Sequence, residues 1–187
     1  MKKITVLFYL ILIVSCKKAQ NQTENFGEIT VDKNIVHDTS ITTLSKYPEL
    51  KLFNSEKVES NTRTAYIVQN AIFFDPNKKI VRFNDYKAKA FYKGDTLELW
   101  LNNYNGYFGN GVIVRIFKNH FKVYDINPNA LRNELKFIKT KPLSQKLILN
   151  TNSFNKNDSI YGFINYTCKI DRLVEKNFRG YFKTLIR

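Results

Sequence analysis

From Tyr66 onward, short apolar stretches recur between turn signals, and some of them, Thr96–Leu101 above all, alternate with the period of two of half-buried β-strands. The stretch Tyr66–Phe74 (YIVQNAIFF) is rich in β-branched and aromatic residues, which suit a pleated surface. Asp75-Pro76-Asn77-Lys78 follows as a turn, because Pro presets φ and Asn tolerates the left-handed region. Ile80–Phe83 then returns as the partner strand. Lys87–Tyr92 and Thr96–Leu101 flank a second turn, Lys93-Gly94-Asp95. In the latter strand Leu97, Leu99 and Leu101 share one face, and Glu98 and Trp100 share the other. Val112–Phe117 and Phe121–Tyr124 form a hairpin around Lys118-Asn119-His120. Leu147–Leu149, Ile160–Cys168 and Tyr181–Ile186 complete the set.

Before residue 60 the pattern is weaker. Short apolar clusters (Ile29 and Val31; Ile35 and Val36; Leu50, Leu52 and Phe53) are broken by Asp, Asn, Ser and Tyr47-Pro48, and read as short edge strands and loops. The one helical candidate is Ala130–Leu135, preceded by Asn127, Pro128 and Asn129; an irregular loop fits it equally well. Eight or nine strands with turn signals between them predict an all-β domain, a single antiparallel sandwich or barrel. Phe91–Leu97 (FYKGDTL) parallels Phe154–Ile160 (FNKNDSI), each followed by a later Gly-Tyr-Phe at unequal spacing. That inequality favours reuse of one turn chemistry over duplication.

The N-terminus breaks the alternation. Lys2 and Lys3 precede a continuous apolar run, Ile4–Val14. The run matches the roughly 7–15 residues of a secretory signal core and falls short of the roughly 20 that span a bilayer. Ile13-Val14-Ser15-Cys16 resembles a bacterial lipobox, with Val14 a tolerated variant where Ser or Ala is commoner. The resemblance implies cleavage before Cys16, a diacylglyceryl group on its thiol, and an acylated, membrane-anchored mature chain. Residues 1–15 are then signal peptide, 16–25 (CKKAQNQTEN) a lipidated cysteine and flexible tether, and 26–187 the folded domain. Acidic residues that direct some lipoproteins of Bacteroidota-type bacteria to the cell surface are missing after Cys16. Lys17 and Lys18 stand there, which points to the periplasmic face of the outer membrane. The segment from Lys146 to Arg187, with its Lys-x-Asp-Ser turn and final Gly-Tyr-Phe strand, is also similar to the ends of small lipoproteins from such bacteria. That likeness implies an address and a β-fold, and no activity.

Composition narrows the partners. The formal charge is +14, from 30 Lys and Arg against 16 Asp and Glu. The lysines are scattered among many asparagines without a basic block, which favours a compositional and solubility effect over nucleic-acid binding. A lesser reading is an acidic partner such as an anionic envelope polymer. Of 2 cysteines, Cys16 is consumed by lipid, so Cys168 is a lone thiol with no disulfide framework. A chain of this length buries about 70% of its unfolded surface and needs no such staple.

Catalytic and metal signals are sparse. His37 lies in a loop-like region beside Asp38, and His120 sits at a hairpin tip; neither has the clustered ligands zinc requires. There is no Gly-x-Ser-x-Gly elbow, no Ser-x-x-Lys and no phosphate loop. Cys168 shares a strand face with Ile164, Tyr166 and Ile170, the setting of a small buried hydrophobe. Paired carboxylates would have to come from Asp95, Glu98, Asp125, Asp158 or Asp171; Asp95 and Asp158 read as turn formers, and Glu98 as an ordinary outward strand position. No cofactor or metal is expected, and no enzyme.

The richest candidate surface is the Asn102–Gly111 loop with Trp100, Tyr104, Tyr107 and Phe108, rings that would either stack on a sugar or partner protein or cap the core. Asp95-Thr96-Leu97 and Asp158-Ser159-Ile160 resemble the Asp-Ser/Thr-aliphatic O-glycosylation acceptor of Bacteroidota, which implies modification at Thr96 or Ser159. The expected role is a non-enzymatic binding or envelope-interaction domain, anchored through Cys16, with an envelope protein or glycan as partner. The alternatives are a lipocalin-like carrier of an apolar ligand and an immunity or inhibitor lipoprotein. The early Gly-x-Trp signature of lipocalins is absent, Trp100 lying mid-chain.

Overall fold

The period-two stretches are strands. The computed structural model describes residues 26–51, 58, 60–73, 80–103, 111–127, 129, 134–170, 172 and 174–187. Within them lie β1 (Gly27–Val31), β2 (Ala65–Phe73), β3 (Ile80–Phe83), β4 (Lys87–Lys93), β5 (Thr96–Asn102), β6 (Gly111–Phe117), β7 (His120–Ile126), β8 (Phe137–Ile138), β9 (Lys141–Leu149), β10 (Ser159–Lys169) and β11 (Val174–Leu185). They form one mixed sheet in the order β3-β2-β11-β10-β9-β1-β7-β6-β5-β4, with β8 added beside β7. The sheet curls into a half-barrel. Ile186, just past β11, bridges Ala90 of β4, and the Arg187 N–H donates to the Ala90 carbonyl at 3.0 Å. The fold is therefore all-β, and its layers come from one sheet rolled on itself.

One pairing departs from the antiparallel expectation. β1 pairs antiparallel with β7 through Gly27 and Glu28, then parallel with β9 through Ile29, Thr30 and Val31. A five-residue strand thus joins β2–β3–β9–β10–β11 to β4–β8. Expected as an edge strand, it lies mid-sheet, because each half of it completes a different neighbour's ladder. After Val31 come a turn of 3-10 helix, Lys33–His37, and a short helix α1, Thr39–Leu44, where loops were expected. Asp32 and Asp38 begin them: Asp32 Oδ1 accepts from the Asn34 N–H at 2.9 Å, and Asp38 Oδ1 from the Ser40 N–H at 2.8 Å. Ile35, Ile41 and Leu44 are buried as these turns pack on the outer side of β2, β10 and β11. The expected helix at Ala130–Leu135 falls largely outside the described residues; Glu134 and Leu135 themselves are not helical. The signal, Cys16, the tether and the Asp75–Lys78 turn also lie outside them.

The interior takes the inward face of nearly every strand. Leu97, Leu99 and Leu101 of β5 are buried as their alternation predicts, beside Val112, Val114 and Phe121 from the neighbouring strands. Leu147, Leu149, Ile164, Phe178 and Phe182 close the other side. Each such side chain contributes about 1.5–3 kcal/mol by leaving water. The tight curl depends on Gly180, in register with Ile67. A Cβ there would strike the Tyr66 carbonyl and Ile67 Cα, so the inward position between Phe178 and Phe182 admits no side chain. The two similar turns also match in shape. Gly94 (φ 59°) and Asn157 (φ 72°) both sit in the left-handed region one residue before an Asp, and the Tyr92 hydroxyl donates to the Phe154 carbonyl at 2.9 Å, which sets the two turns side by side.

Candidate functional site

Two features gather polar chemistry, one inside the curl and one at its seam. Inside, Asp125 of β7 is in phase with Phe121 and Val123, and Lys176 of β11 is in phase with Phe178 and Phe182. Both charged residues therefore point into the core; Asp125 is 0% exposed and Lys176 3%. The Lys176 ammonium donates to Asp125 Oδ1 in a short ion pair. The Tyr166 hydroxyl donates to Asp125 Oδ2 at 2.7 Å and is itself met by the Thr140 hydroxyl at 3.0 Å. The Cys168 thiol lies 3.8 Å from Asp125 Oδ2. Beside them Tyr86 donates to Gln69 Oε1 at 3.0 Å and stands edge-on to Phe178.

Burial, and then the Asp125 charge, raise the pKa of Tyr86, of Tyr166 and of Cys168, the last pushed up to about 12. All three are neutral at physiological pH. A thiol held protonated and fully buried is a poor nucleophile, in keeping with its expected role as a small buried residue. A general acid or base must reach a substrate proton. Asp125 has both oxygens engaged by buried partners, so the cluster's chemistry is cohesion.

At the seam, where β4 meets the end of β11, a cleft of 360 Å³ opens to solvent. Glu49, the segment 60–64, β4, β10 and β11 line it, with Ser60, Thr62, Ser159, Tyr161, Lys183 and Thr184 prominent. Glu49 Oε2 accepts the Ser60 N–H at 3.0 Å, and the Ser60 hydroxyl donates to the Thr62 carbonyl at 2.9 Å, which fixes the rim. Lys183 donates to the Ser45 hydroxyl at 2.5 Å, and burial lowers its pKa.

The residues singled out from sequence are not brought together: Asp125 and Cys168 lie in the buried cluster, and the others are on separate parts of the fold. Trp100 is half-buried on the outer face, beside Phe91 at 5.6 Å between ring centroids, and its indole N–H donates to Glu98 Oε2 at 2.9 Å. Glu98 is no ordinary outward position: it is 2% exposed and also takes the Arg115 guanidinium at 2.9 Å. Arg115 in turn covers the Tyr124 ring at 4.8 Å, so this face carries a ladder of rings and charges. Tyr104, Tyr107, Phe108 and Asp171 lie outside the described residues. His37 and His120 are both exposed and on separate elements, and no group of three potential metal ligands occurs among the described residues. Asp158 is the turn former expected, its Oδ2 accepting from the Asn155 backbone and side chain, both at 3.0 Å. Thr96 is half-buried, and Ser159 is exposed at the seam cleft.

Asp125 was named from sequence only as one of five candidate carboxylates and Lys176 was not named, yet each residue occupies a core position of a period-two apolar run. That misplaced charge was the readable signal. The seam cleft had none, since it joins segments far apart in the chain. Compared with known proteins, the chain matches no family model, no curated protein and no solved structure.

Breaking one partner of a buried pair leaves an uncompensated charge, at a cost of about 3–5 kcal/mol. Asp125→Leu and Lys176→Met should each lower the urea unfolding free energy by that order, and the double variant should lose less than the more harmful single one. A double variant showing the sum of both losses would count against a coupled pair. The raised pKa values set a pH dependence as well. The unfolded chain releases the Cys168 and tyrosine protons before the folded chain does, so the folded state binds more protons and loses stability as pH rises. The unfolding free energy should hold up to the ordinary thiol value of 9.0 and fall from there toward 12, with a shallower fall in Tyr166→Phe. A flat urea-denaturation profile across that window contradicts this.

Proposed function

We propose that the chain is a lipid-anchored envelope protein whose curled β-domain binds a glycan at the seam cleft without catalysing a reaction. The observation that carries this reading is the lining of the cleft. Ser60, Asn61, Thr62, Ser159 and Thr184 line it together with Tyr161, and Glu49, Lys89, Lys183 and Arg187 add charge. Hydroxyl and amide groups donate and accept in the manner sugar hydroxyls require, and a tyrosine ring offers an apolar face to the C–H side of a pyranose at small entropic cost. A concave site with a few convergent polar groups is the usual form of a small-ligand pocket.

The packed interior supports surface binding over the carrier reading. Tyr86, Phe121, Tyr166, Phe178 and Phe182 fill the curl where an apolar ligand would sit. The anchor follows from the lipobox resemblance at Cys16, with the periplasmic face of the outer membrane as the proposed address. No helix among the described residues is long and apolar enough to cross a membrane.

Titration of the protein with an oligomer of β-1,4-linked N-acetylglucosamine, followed by amide NMR, should shift resonances at the ends of β10 and β11. Tyr161→Ala should fold normally and bind about tenfold more weakly, a loss of about 1.4 kcal/mol. Shifts confined to other faces, or none, would refute the assignment. In cells, Cys16→Ala should move the protein from the membrane to the soluble fraction and remove the acyl mass; unchanged retention with unchanged mass would refute lipidation.

A further inference from the structure

A third region is cationic. Lys139, Lys141, Lys169 and Arg172 surround an open cleft of 400 Å³, and Thr140 completes its lining among the described residues. All four are exposed, and none of them forms an ion pair among the described residues. Glu175 stands opposite Lys169 on β11 without pairing to it, and Glu134 is taken by Lys136 at 2.7 Å.

The register makes this arrangement specific. Between Thr167 and Cys168 the β9–β10 ladder shifts at a bulge: Thr167 faces Ser144, Cys168 faces Pro142, and Lys169 then faces Lys141. Without the shift Lys169 would stand opposite Pro142. Bulges re-aim side chains, and this one places two lysines directly across from each other. Directly opposed strand residues sit about 5 Å apart at Cβ, where like charges repel. Arg172 follows from the β10–β11 connection and Lys139 from the segment before β9, so cations from three segments converge on one space. The same shift turns Thr140 inward to Tyr166, which ties the floor of the cleft to the buried Asp125 pair.

We infer that this cleft is a binding site for a phosphate group. A tetrahedral anion between Lys141 and Lys169 converts their repulsion into two charge-assisted hydrogen bonds, and the Arg172 guanidinium adds the forked donor geometry that suits phosphate oxygens. The volume exceeds that of phosphate alone, leaving room for an ester substituent, whether a sugar or a lipid glycerol. This site is separate from the seam cleft and does not depend on glycan binding there.

Thermal unfolding of the full chain in low-salt buffer tests it, with inorganic phosphate, glycerol 3-phosphate and a short-chain phosphatidic acid as probes and chloride at matched ionic strength as control. Phosphate should raise the midpoint well above the chloride control. Lys169→Gln and Lys141→Gln should each raise the midpoint in phosphate-free buffer, by relieving the repulsion, and weaken phosphate binding at least tenfold by calorimetry. Lys33→Gln, on the 3-10 turn, should behave as the parent. A stronger response to phosphatidic acid than to the soluble phosphates assigns the group to a lipid headgroup, and an equal response assigns it to phosphate itself. Equal effects of phosphate and chloride, or an unchanged phosphate response in both lysine variants, would overturn the site.

Discussion

The Asp125–Lys176 ion pair is the constraint on which the fold turns. It links β7, in one half of the rolled sheet, to β11 in the other, across an interior made mainly of aliphatic and aromatic side chains. Transfer of two charges out of water is costly, and only close contact with saturated hydrogen bonding offsets it. Here Tyr166, Cys168 and the Lys176 ammonium share the carboxylate, and Thr140 completes the chain of hydroxyls. An apolar core tolerates alternative registers, whereas a buried charge has one place to go. Pairing these two residues commits the sheet to the curl that brings β7 and β11 face to face.

The curl has a steric requirement and an electrostatic consequence. Gly180 lets β2 approach β11 closely, and the bridge from Ile186 to Ala90 marks where the roll meets itself. That meeting forms the seam cleft. The bulge in β9–β10 serves the interior by turning Thr140 toward Tyr166, and on the outside it sets Lys141 against Lys169. The buried cluster and the cationic cleft are thus two sides of one backbone irregularity. With a formal charge of +14, the surface has cations to spare, and the bulge concentrates some of them.

Legibility followed the range of the interaction. The Lys93-Gly94-Asp95 and Lys156-Asn157-Asp158 turns were readable because Gly and Asn tolerate positive φ wherever they occur, and both turns adopt it. The Leu97, Leu99 and Leu101 face was readable because period two is local. The turns at Lys33–His37 and Thr39–Leu44 were missed although Asp32 and Asp38 are ordinary N-caps, because their apolar residues are too few to show a helical period. β11 was recognised only from Tyr181, since Lys176, Asn177 and Arg179 disguise its first half. Its Lys176 is a core residue whose partner lies 51 positions away.

By itself, the sequence determined the local matters: strand composition, turn chemistry and the burial of Cys168. Alternation and turn propensity act over a few residues and need no partner to be read. Tertiary structure alone decided that β1 would sit mid-sheet, parallel to β9 and antiparallel to β7, and that the sheet would roll upon itself. It also decided which charges would be buried and which would face each other. These outcomes depend on register between strands far apart in the chain, and a shift of one residue reverses which face every side chain occupies.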